Sequence, residues 1–455
     1  MLAALLEEAK TRHATPAAAA ADDESSADAG GPVFNIGTLN EISSDGLGRF
    51  PSSRYAVEPQ DDGTSEAEVH ALMLRSYKLK SDEVANSVRA VGRCGAGTNN
   101  IPVGEMTARG IPVFNAPGAN ANAVKELVLT ALLLASRGIV EGHKHMDSIF
   151  EEESDPAVCK KRVESEKKLF VGNELMGKTL GVVGLGHIGA SVARCALDLG
   201  MKVIGYDPAI SLEAAWMLPG DRLKRASQLD DLLANADYVS LHTPYMPATH
   251  HLLDDEKLAL LKPTAHLVNF ARAELVDSAA LRKRYESGAH VGKYVADFAD
   301  HELYGHERVL LLPHLGASTA EAESNSAAMI ADQLIDFIET GSIVNSVNFP
   351  RTVLEQKGEG VRMCIATQNV SGMLGQITTA MGDSGLNITQ QINTSRDDIA
   401  YNVVDFDTVN LEKVEEVASI VSHMDGVLST RALPFGSHRT DSPLWGPTAF
   451  TVSGQ

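Results

Sequence analysis

Residues 180–189 read Leu-Gly-Val-Val-Gly-Leu-Gly-His-Ile-Gly, and residues 201–207 read Met-Lys-Val-Ile-Gly-Tyr-Asp. Leu180 to Val183 is a short apolar run of strand type. Gly184, Gly186 and Gly189 follow in G-x-G-x-x-G spacing, Ala190 to Leu199 suits a helix, and Gly200 reads as its C-cap. Met201 to Tyr206 is a second strand, closed by Asp207. Each glycine has a physical task. Gly184 permits a tight turn, Gly186 lets a pyrophosphate approach the backbone, and Gly189 lets helix and strand pack closely. The helix N-terminus then faces the phosphates. Asp207 stands where a carboxylate binds both ribose hydroxyls, and it repels a 2′-phosphate. Residues 208–218 offer no Arg or Lys to receive one. The stretch predicts a dinucleotide site that takes NAD rather than NADP.

The 455 residues suit about three domains. Net charge is −21, from 39 basic and 60 acidic residues. That balance speaks against nucleic acid or an anionic membrane as a partner, though not against a small anion held in a local basic pocket. Cys94, Cys159, Cys195 and Cys364 form neither a C-x-x-C pair nor a metal pattern, and no metal site is expected. No apolar run approaches the ~20 residues of a membrane span. A cytoplasmic, reducing location is the expectation.

In chain order, residues 1–32 read as a disordered extension, with a short helix over Leu2 to Lys10. A substrate domain is expected over 33–140 and 315–350. Its strands are Val33 to Ile36, Ala71 to Leu74, Val88 to Val91 and Ile111 to Phe114, with a helix over Asn122 to Ser136 capped by Asn120 or Asn122. Arg75, Lys78 and Arg93 stand beside glycine-rich turns, where free backbone amides bind anions. A Rossmann-type NAD domain is expected over 141–314. Its strands end in polar residues: Thr243 after 238–242, Arg272 after 266–269, Asp297 after 293–296 and His314 after 309–312. Open α/β sheets build their sites along such an edge. The helix Ala320 to Glu339 returns to the first unit, and Ser346 to Pro350 closes its core. Residues 361–435 alternate as βαββαβ, a ferredoxin-like unit. Residues 436–455 read as a polar tail in which Trp445 and Phe450 have no assigned role. The fold class is therefore α/β: a Rossmann-type domain with a flavodoxin-like partner, then a ferredoxin-like domain.

The strand-end residues suggest a chemistry. A nicotinamide needs a neighbour that handles a proton, and His314 has a side chain that titrates near neutral pH. Arg272 can grip an α-hydroxy acid's carboxylate with two hydrogen bonds. Glu302 can bond the second imidazole nitrogen and fix the tautomer, with Glu307 as its rival. His187, His242, His250, His251, His301 and His306 compete with His314, which is distinguished by its place between Pro313 and Gly316-Ala317-Ser318-Thr319.

These pieces, with Leu72-Met73-Leu74-Arg75-Ser76, Gly95-Ala96-Gly97-Thr98-Asn99-Asn100, Asn115-Ala116-Pro117-Gly118, Asn269-Phe270-Ala271-Arg272 and Asp297-Phe298, resemble the D-isomer-specific 2-hydroxyacid dehydrogenase family over about residues 33–435. Within it the chain is similar to members that act on 3-phosphoglycerate and carry a C-terminal ACT domain. The resemblance implies NAD-dependent oxidation of 3-phospho-D-glycerate to 3-phosphohydroxypyruvate, at the entry to L-serine synthesis. Reduction of glyoxylate or hydroxypyruvate is the alternative within the family, and an NAD-sensing corepressor-like scaffold the alternative outside it.

The family's catalytic Arg, Glu and His fall on Arg272, Glu302 and His314. Its NAD contacts fall on His187, Ile188, Asp207, Thr243, Phe270, Ala271, Arg272, Asp297, His314 and Gly316, beside Gly184, Gly186 and Gly189. Substrate binding is expected at Arg75, Ser76, Lys78, Arg93, Gly95, Asn99 and Arg272. Asn369 and Asn387 match the asparagines that contact an L-serine effector in some relatives, while Thr367 stands where those have a histidine. Ala273 replaces the glycine usual after the Arg, and Asp-Phe-Ala-Asp-His-Glu at 297–302 departs from the commoner Asp-Val-Phe form. A homodimer or homotetramer is implied by the resemblance alone.

Overall fold

The computed structural model describes residues 34–60, 68–210, 215, 218, 222–436 and 450–452. The expected extension over 1–32 and Trp445 lie outside the described residues.

The first unit is a five-stranded parallel sheet of β1 (Phe34–Leu39), β2 (Tyr55–Pro59), β3 (Ala71–Leu74), β4 (Ala90–Arg93) and β5 (Val113–Phe114), in the order β2-β1-β3-β4-β5. That order is flavodoxin-like. β3 is fully buried, which explains its continuous apolar reading. The strand expected over Val88 to Val91 starts later, because pairing with β3 begins at Ala71 opposite Ala90. Likewise only Val113–Phe114 of the stretch from Ile111 pairs with β4. Helix α1 (Ala121–Ser136) follows. Asn120 stands at its N-cap position, but neither asparagine caps it through a side chain; Asn122 bonds Glu126 instead. Ser346 to Pro350 seals this unit. Asn348 accepts from the Val113 amide at 2.8 Å and donates to the Ile111 carbonyl at 3.0 Å, and Phe349 is buried.

Next come helix α2 (Ile139–Glu152), a second helix over Pro156–Glu166, and a seven-stranded parallel sheet. Its strands are β6 (Thr179–Val183), β7 (Lys202–Tyr206), β8 (Leu223–Arg225), β9 (Tyr238–Leu241), β10 (His266–Asn269), β11 (Tyr294–Ala296) and β12 (Val309–Leu311). The order is β12-β11-β10-β9-β6-β7-β8. Helix α3 (His187–Asp198) joins β6 to β7, while β9 pairs on the other side of β6. The chain therefore reverses direction across the sheet beside β6, and the crevice outside the strand ends there is where such sheets bind ligands. α1 packs on α3 and shares the core of the seven-stranded sheet through Val124, Val128, Ala131 and Leu132.

Helix α4 (Ala320–Thr340) then returns to the first sheet. Thr319 caps it by accepting from the Ala322 amide, and Gly341 ends it with φ 74°. Ile330 and Leu334 press on β4; a side chain at Gly92 would stand 2.3 Å from Ile330.

The third unit is an antiparallel sheet of β13 (Gly360–Gln368), β14 (Ile388–Arg396), β15 (Ile399–Phe406), β16 (Val427–Phe435) and β17 (Phe450–Val452). Helices α5 (Met373–Asp383) and α6 (Leu411–Ser422) lie on one face. The βαββαβ order fits an ACT-like domain. The tail expected to be polar, with no role for Phe450, supplies β17, which pairs with β16 from Ser429–Val452 to Arg431–Phe450. The other face of this sheet is not free. Cys364, Ala366, Ile399, Tyr401, Val403 and Leu433 share one apolar core with Ile330, Leu334, Phe337 and Ile338 of α4. Beneath it, Arg362 forms a double hydrogen bond with Asp405 at 2.6 and 2.8 Å, both side chains 1% exposed. A buried pair of this kind is costly to break one-sidedly, about 3–5 kcal/mol, since a lone charge would remain.

Candidate active site

The glycine turn has the form that the spacing demands. Gly184 adopts φ 90°, and a side chain there would strike the His242 backbone at 2.8 Å. A side chain at Gly189 would fall 1.9 Å from the Gly184 carbonyl. Gly186 faces open space, with nothing within 4 Å of where its Cβ would be, and α3 starts at the next residue, His187. A Cβ-free cradle opening on a helix N-terminus fits a pyrophosphate. Asp207 is anchored by the Leu185 amide at 2.8 Å and the Ala209 amide at 2.9 Å, which aims its carboxylate along the crevice rim. The Thr243 hydroxyl is buried without a hydrogen-bond partner. His242 bonds Ser240, and burial lowers its pKa to about 4; it is a neutral wall residue.

At the far strand ends, Asp297 is 1% exposed and organises its surroundings. Its carboxylate accepts from the Gly316 amide at 2.8 Å and its carbonyl from the His314 amide at 3.0 Å. Burial holds this carboxyl above the usual range, while Gly316, His314 and Arg272 pull it back. His314 itself has φ 54°, a left-handed conformation rare for a non-glycine residue and costly to hold. The Phe298 ring meets its imidazole edge-on at 5.6 Å. The imidazole is thus presented to the crevice by a strained turn tied to Asp297.

Arg272 follows β10 and donates to the Ala271 carbonyl at 2.6 Å. Its Nη2 lies 3.0 Å from where a Cβ of Gly97 would stand, so the guanidinium spans from the second unit to the glycine-rich turn of the first. Ala273 opens a 3-10 turn without a positive φ, so glycine is not required there. Asn269, the last residue of β10, holds this loop. Its amide donates to the Arg272 carbonyl at 2.8 Å, and its oxygen accepts from the Ala271 amide at 3.1 Å.

Beside His314 lies a cavity of about 330 Å³ lined by Arg75, Ser76, Arg93, Gly95, Asn120, Ser318 and Glu323. Arg93 lies over Gly95, where a Cβ would collide with its Nη1 at 1.5 Å. Its Nε is buried without a partner, and burial, with Arg75 and Arg272 nearby, lowers its pKa. Three guanidiniums within electrostatic reach of one another make a site for anions. Asn100 fixes the Arg75 loop by donating to the Arg75 and Tyr77 carbonyls at 3.1 and 2.6 Å. Asn120, expected as a helix cap, and Glu323, with no role expected from sequence, are brought to the cavity by the fold. Lys78 and Asn99 are exposed and do not line the cavity. Cys94 also lines it, but burial pushes its thiol up to about 12.

Glu302 is exposed on the turn after β11. Its amide donates to Asp300 at 3.0 Å and its carbonyl accepts from Arg282 at 2.5 Å, but no hydrogen bond joins its carboxylate to His314. Glu307 pairs with Arg308. Asn369 and Asn387, both exposed, bond the Asp397 carbonyl at 3.0 Å and the Asp407 carboxylate at 2.7 Å. Thr367 is buried with its hydroxyl unpartnered. A larger groove of about 740 Å³ lies between α2 and the Tyr304–Arg308 loop, away from the glycine turn. Among the described residues there is no cluster of metal-ligating side chains, and no helix is long and apolar enough to cross a membrane.

Residues 129–316 match the model of the D-isomer specific 2-hydroxyacid dehydrogenase NAD binding domain. The chain is 32% identical to D-3-phosphoglycerate dehydrogenase of Haemophilus influenzae, over 80% of this chain and 87% of that protein. It is 30% identical to D-3-phosphoglycerate dehydrogenase of Escherichia coli, over 87% of this chain and 94% of that protein. In fold it is similar to the NAD⁺-bound 3-phosphoglycerate dehydrogenase of Entamoeba histolytica, with a TM-score of 0.54 and 22% identity, covering 70% of this chain and 99% of that one.

Proposed function

This chain belongs to the D-isomer specific 2-hydroxyacid dehydrogenase family, and from that premise we propose that it oxidises 3-phospho-D-glycerate to 3-phosphohydroxypyruvate with NAD, the first step of L-serine biosynthesis. The observation that carries the choice of substrate is the guanidinium-lined cavity beside His314. An unphosphorylated acid such as glyoxylate has no group to satisfy Arg75 and Arg93 once Arg272 holds its carboxylate.

NAD fits the crevice because the Gly184–Gly189 turn has no side chain where the pyrophosphate would lie and Asp207 is poised for the ribose hydroxyls. His187, Ile188, Thr243, Phe270 and Ala271 complete the wall of that site. When bound, NAD supplies the acceptor for the hydride that leaves C2. Arg272 holds the substrate carboxylate. Arg75, Ser76 and Arg93 hold the phosphate, which fixes the acid at both ends and leaves C2 facing His314. Such anchoring converts a bimolecular encounter into a positioned one. The His314 imidazole takes the C2 hydroxyl proton in oxidation and returns it in reduction. Asp297, through the His314 and Gly316 amides, keeps that imidazole in place. Glu302, five residues after Asp297 in the position of the family's glutamate, is assigned to the second imidazole nitrogen.

The enzyme is assigned to the cytoplasm, in keeping with four free cysteines. It works as a homo-oligomer, a dimer or tetramer, supported by the exposed Ile139, Phe150, Leu169 and Val171 beside the large groove. L-Serine acts at the ACT-like domain through Asn369 and Asn387. Unchanged initial rates at saturating serine, with no calorimetric heat, remove the effector reading. The activity is tested with NAD and a panel of D-2-hydroxy acids with and without a phosphate. Turnover confined to unphosphorylated acids defeats the assignment.

A further inference from the structure

We propose that Glu323 is a built-in counter-ion for Arg75, which the substrate phosphate displaces, and that this carboxylate sets a threshold that every anion entering the cavity must exceed. The inference rests on the phosphoglycerate reading and deepens it. Glu323 Oε1 stands 2.7 Å from Arg75 Nη2, in the first turn of α4, and both side chains line the cavity beside His314. It is the one acidic side chain among those lining the cavity, which it shares with Arg75 and Arg93. No other hydrogen bond or ion pair engages the Arg75 guanidinium among the described residues. The carboxylate therefore stands where an anionic group of the substrate would bind.

The mounting suits displacement. Thr319 caps the helix and residues such as Ala322, Ser326 and Ala327 bury its flank, so the Glu323 backbone is fixed. Its side chain is 39% exposed and Arg75 37%, so the pair is half in water and weak, as such ion pairs are. The Arg75 loop has an anchor of its own in Asn100, so the guanidinium does not depend on Glu323 for its place. A doubly charged phosphate outbids one carboxylate for Arg75, and Glu323 can swing into solvent. A singly charged or poorly fitting anion gains too little. The carboxylate thereby lowers the affinity of the empty cavity for every displacing anion by a similar factor, so only an anion held by further contacts occupies it readily.

The test is Glu323→Gln, which keeps the shape and removes the charge. KM for 3-phosphoglycerate should fall about threefold or more, the scale of one half-exposed ion pair, with the change in KM rather than kcat. Inorganic sulfate, a dianion that must displace the same carboxylate, should bind the variant tighter by a similar factor, measured by calorimetry on the NADH complex. KM for an unphosphorylated 2-hydroxy acid should move less than either. A raised KM for 3-phosphoglycerate, or sulfate affinity equal in the two proteins, overturns the proposal and makes Glu323 a support for Arg75 instead. Equal NADH affinity in both proteins guards against a folding defect. If wild-type protein turns over only unphosphorylated acids, the activity reading falls, while the sulfate comparison still decides the role of Glu323.

Discussion

The Arg431 guanidinium of the ACT-like domain donates to the Phe337 carbonyl at 2.6 Å and lies 4.2 Å from the centre of that residue's ring. Phe337 belongs to the last turn of α4, whose carbonyls need donors and whose dipole favours a cation. Arg362 donates to the Thr340 carbonyl at 2.7 Å and Tyr401 to the Gly341 carbonyl at 3.0 Å. One domain thus closes the end of a helix whose first turn lines the anion cavity of another. Arg431→Met keeps the stem and removes the donors. It should cost about 2–4 kcal/mol, because a buried charge-assisted bond and the helix-end cation are lost together. Urea unfolding reads it out, and a midpoint equal to wild type would show that the domains are not coupled through this contact.

His314→Ala removes the group assigned to the C2 proton. Turnover of 3-phosphoglycerate should fall by about 10²–10⁴, the range for positioned acid–base catalysis. NADH affinity should stay within a few-fold, since the glycine turn and Asp207 are untouched. A variant that retains wild-type kcat assigns the proton to another group.

Arg75→Ala addresses the phosphate end. A charge-assisted hydrogen bond is worth about 1.5–3 kcal/mol, so kcat/KM for 3-phosphoglycerate should drop about 10- to 100-fold. Residual turnover of glyoxylate or an unphosphorylated 2-hydroxy acid should change less than threefold. Equal losses for both classes would place Arg75 outside the phosphate site.

Much of this architecture was legible because it is local. The strand, glycine turn, helix and Asp207 occupy one continuous stretch, and each element is stated by its own residues. What escaped depends on partners distant in sequence. β2 ends in Glu58-Pro59 and β8 is Leu-Lys-Arg; both are edge strands whose pairing no periodicity announces. β17 lies in a polar tail and exists through β16. Glu323 reads as an ordinary acid in a helix's first turn, and Asn100 and Asn269 as turn and strand residues, until folding sets them beside Arg75 and Arg272. Conversely, the family order that points to Glu302 and the neighbouring glycine-rich turns that point to Lys78 give residue type and position along the chain only. They do not say where an exposed side chain on a short loop points.

Gly189→Ala tests the cofactor turn without touching a charged group. The new methyl would lie 1.9 Å from the Gly184 carbonyl and 3.3 Å from Val182 Cγ1, both fixed by the strand beneath. Neither can yield without moving the loop that cradles the pyrophosphate. NADH affinity should fall at least about tenfold, a loss of 1.4 kcal/mol or more, by fluorescence titration. Gly288→Ala, at a site with open space, is the control for a general loss of fold. Its φ of 71° predicts a small stability cost but unchanged NADH affinity.

Acid should destabilise the fold through its buried neutral histidines. His70 is 1% exposed; its Nδ1 accepts from the Asn35 amide at 2.8 Å, and its Nε2 is buried without a partner. Burial, helped by Arg89, lowers its pKa from 6.5 to about 4. His290 and His266 are lowered to about 4 as well, again chiefly by burial. A depressed histidine pKa means that the unfolded chain takes up the proton first. The stability these residues contribute is full above about pH 6.5 and drains away as pH falls towards 4. His70→Asn keeps an acceptor for the Asn35 amide but cannot be protonated in this range. At pH 7.5 the variant should be less stable by about 1–2 kcal/mol, for the volume it leaves empty. Between pH 6.5 and 4.5 wild type alone pays to keep this side chain neutral, so the gap should close by about 1–2 kcal/mol, below the ceiling of about 3 that the full shift allows. Urea midpoints at four or five pH values measure the difference directly, with every other titrating group common to both proteins. Parallel curves would mean that His70 is protonated in the fold without penalty, which its buried, unpartnered Nε2 does not permit.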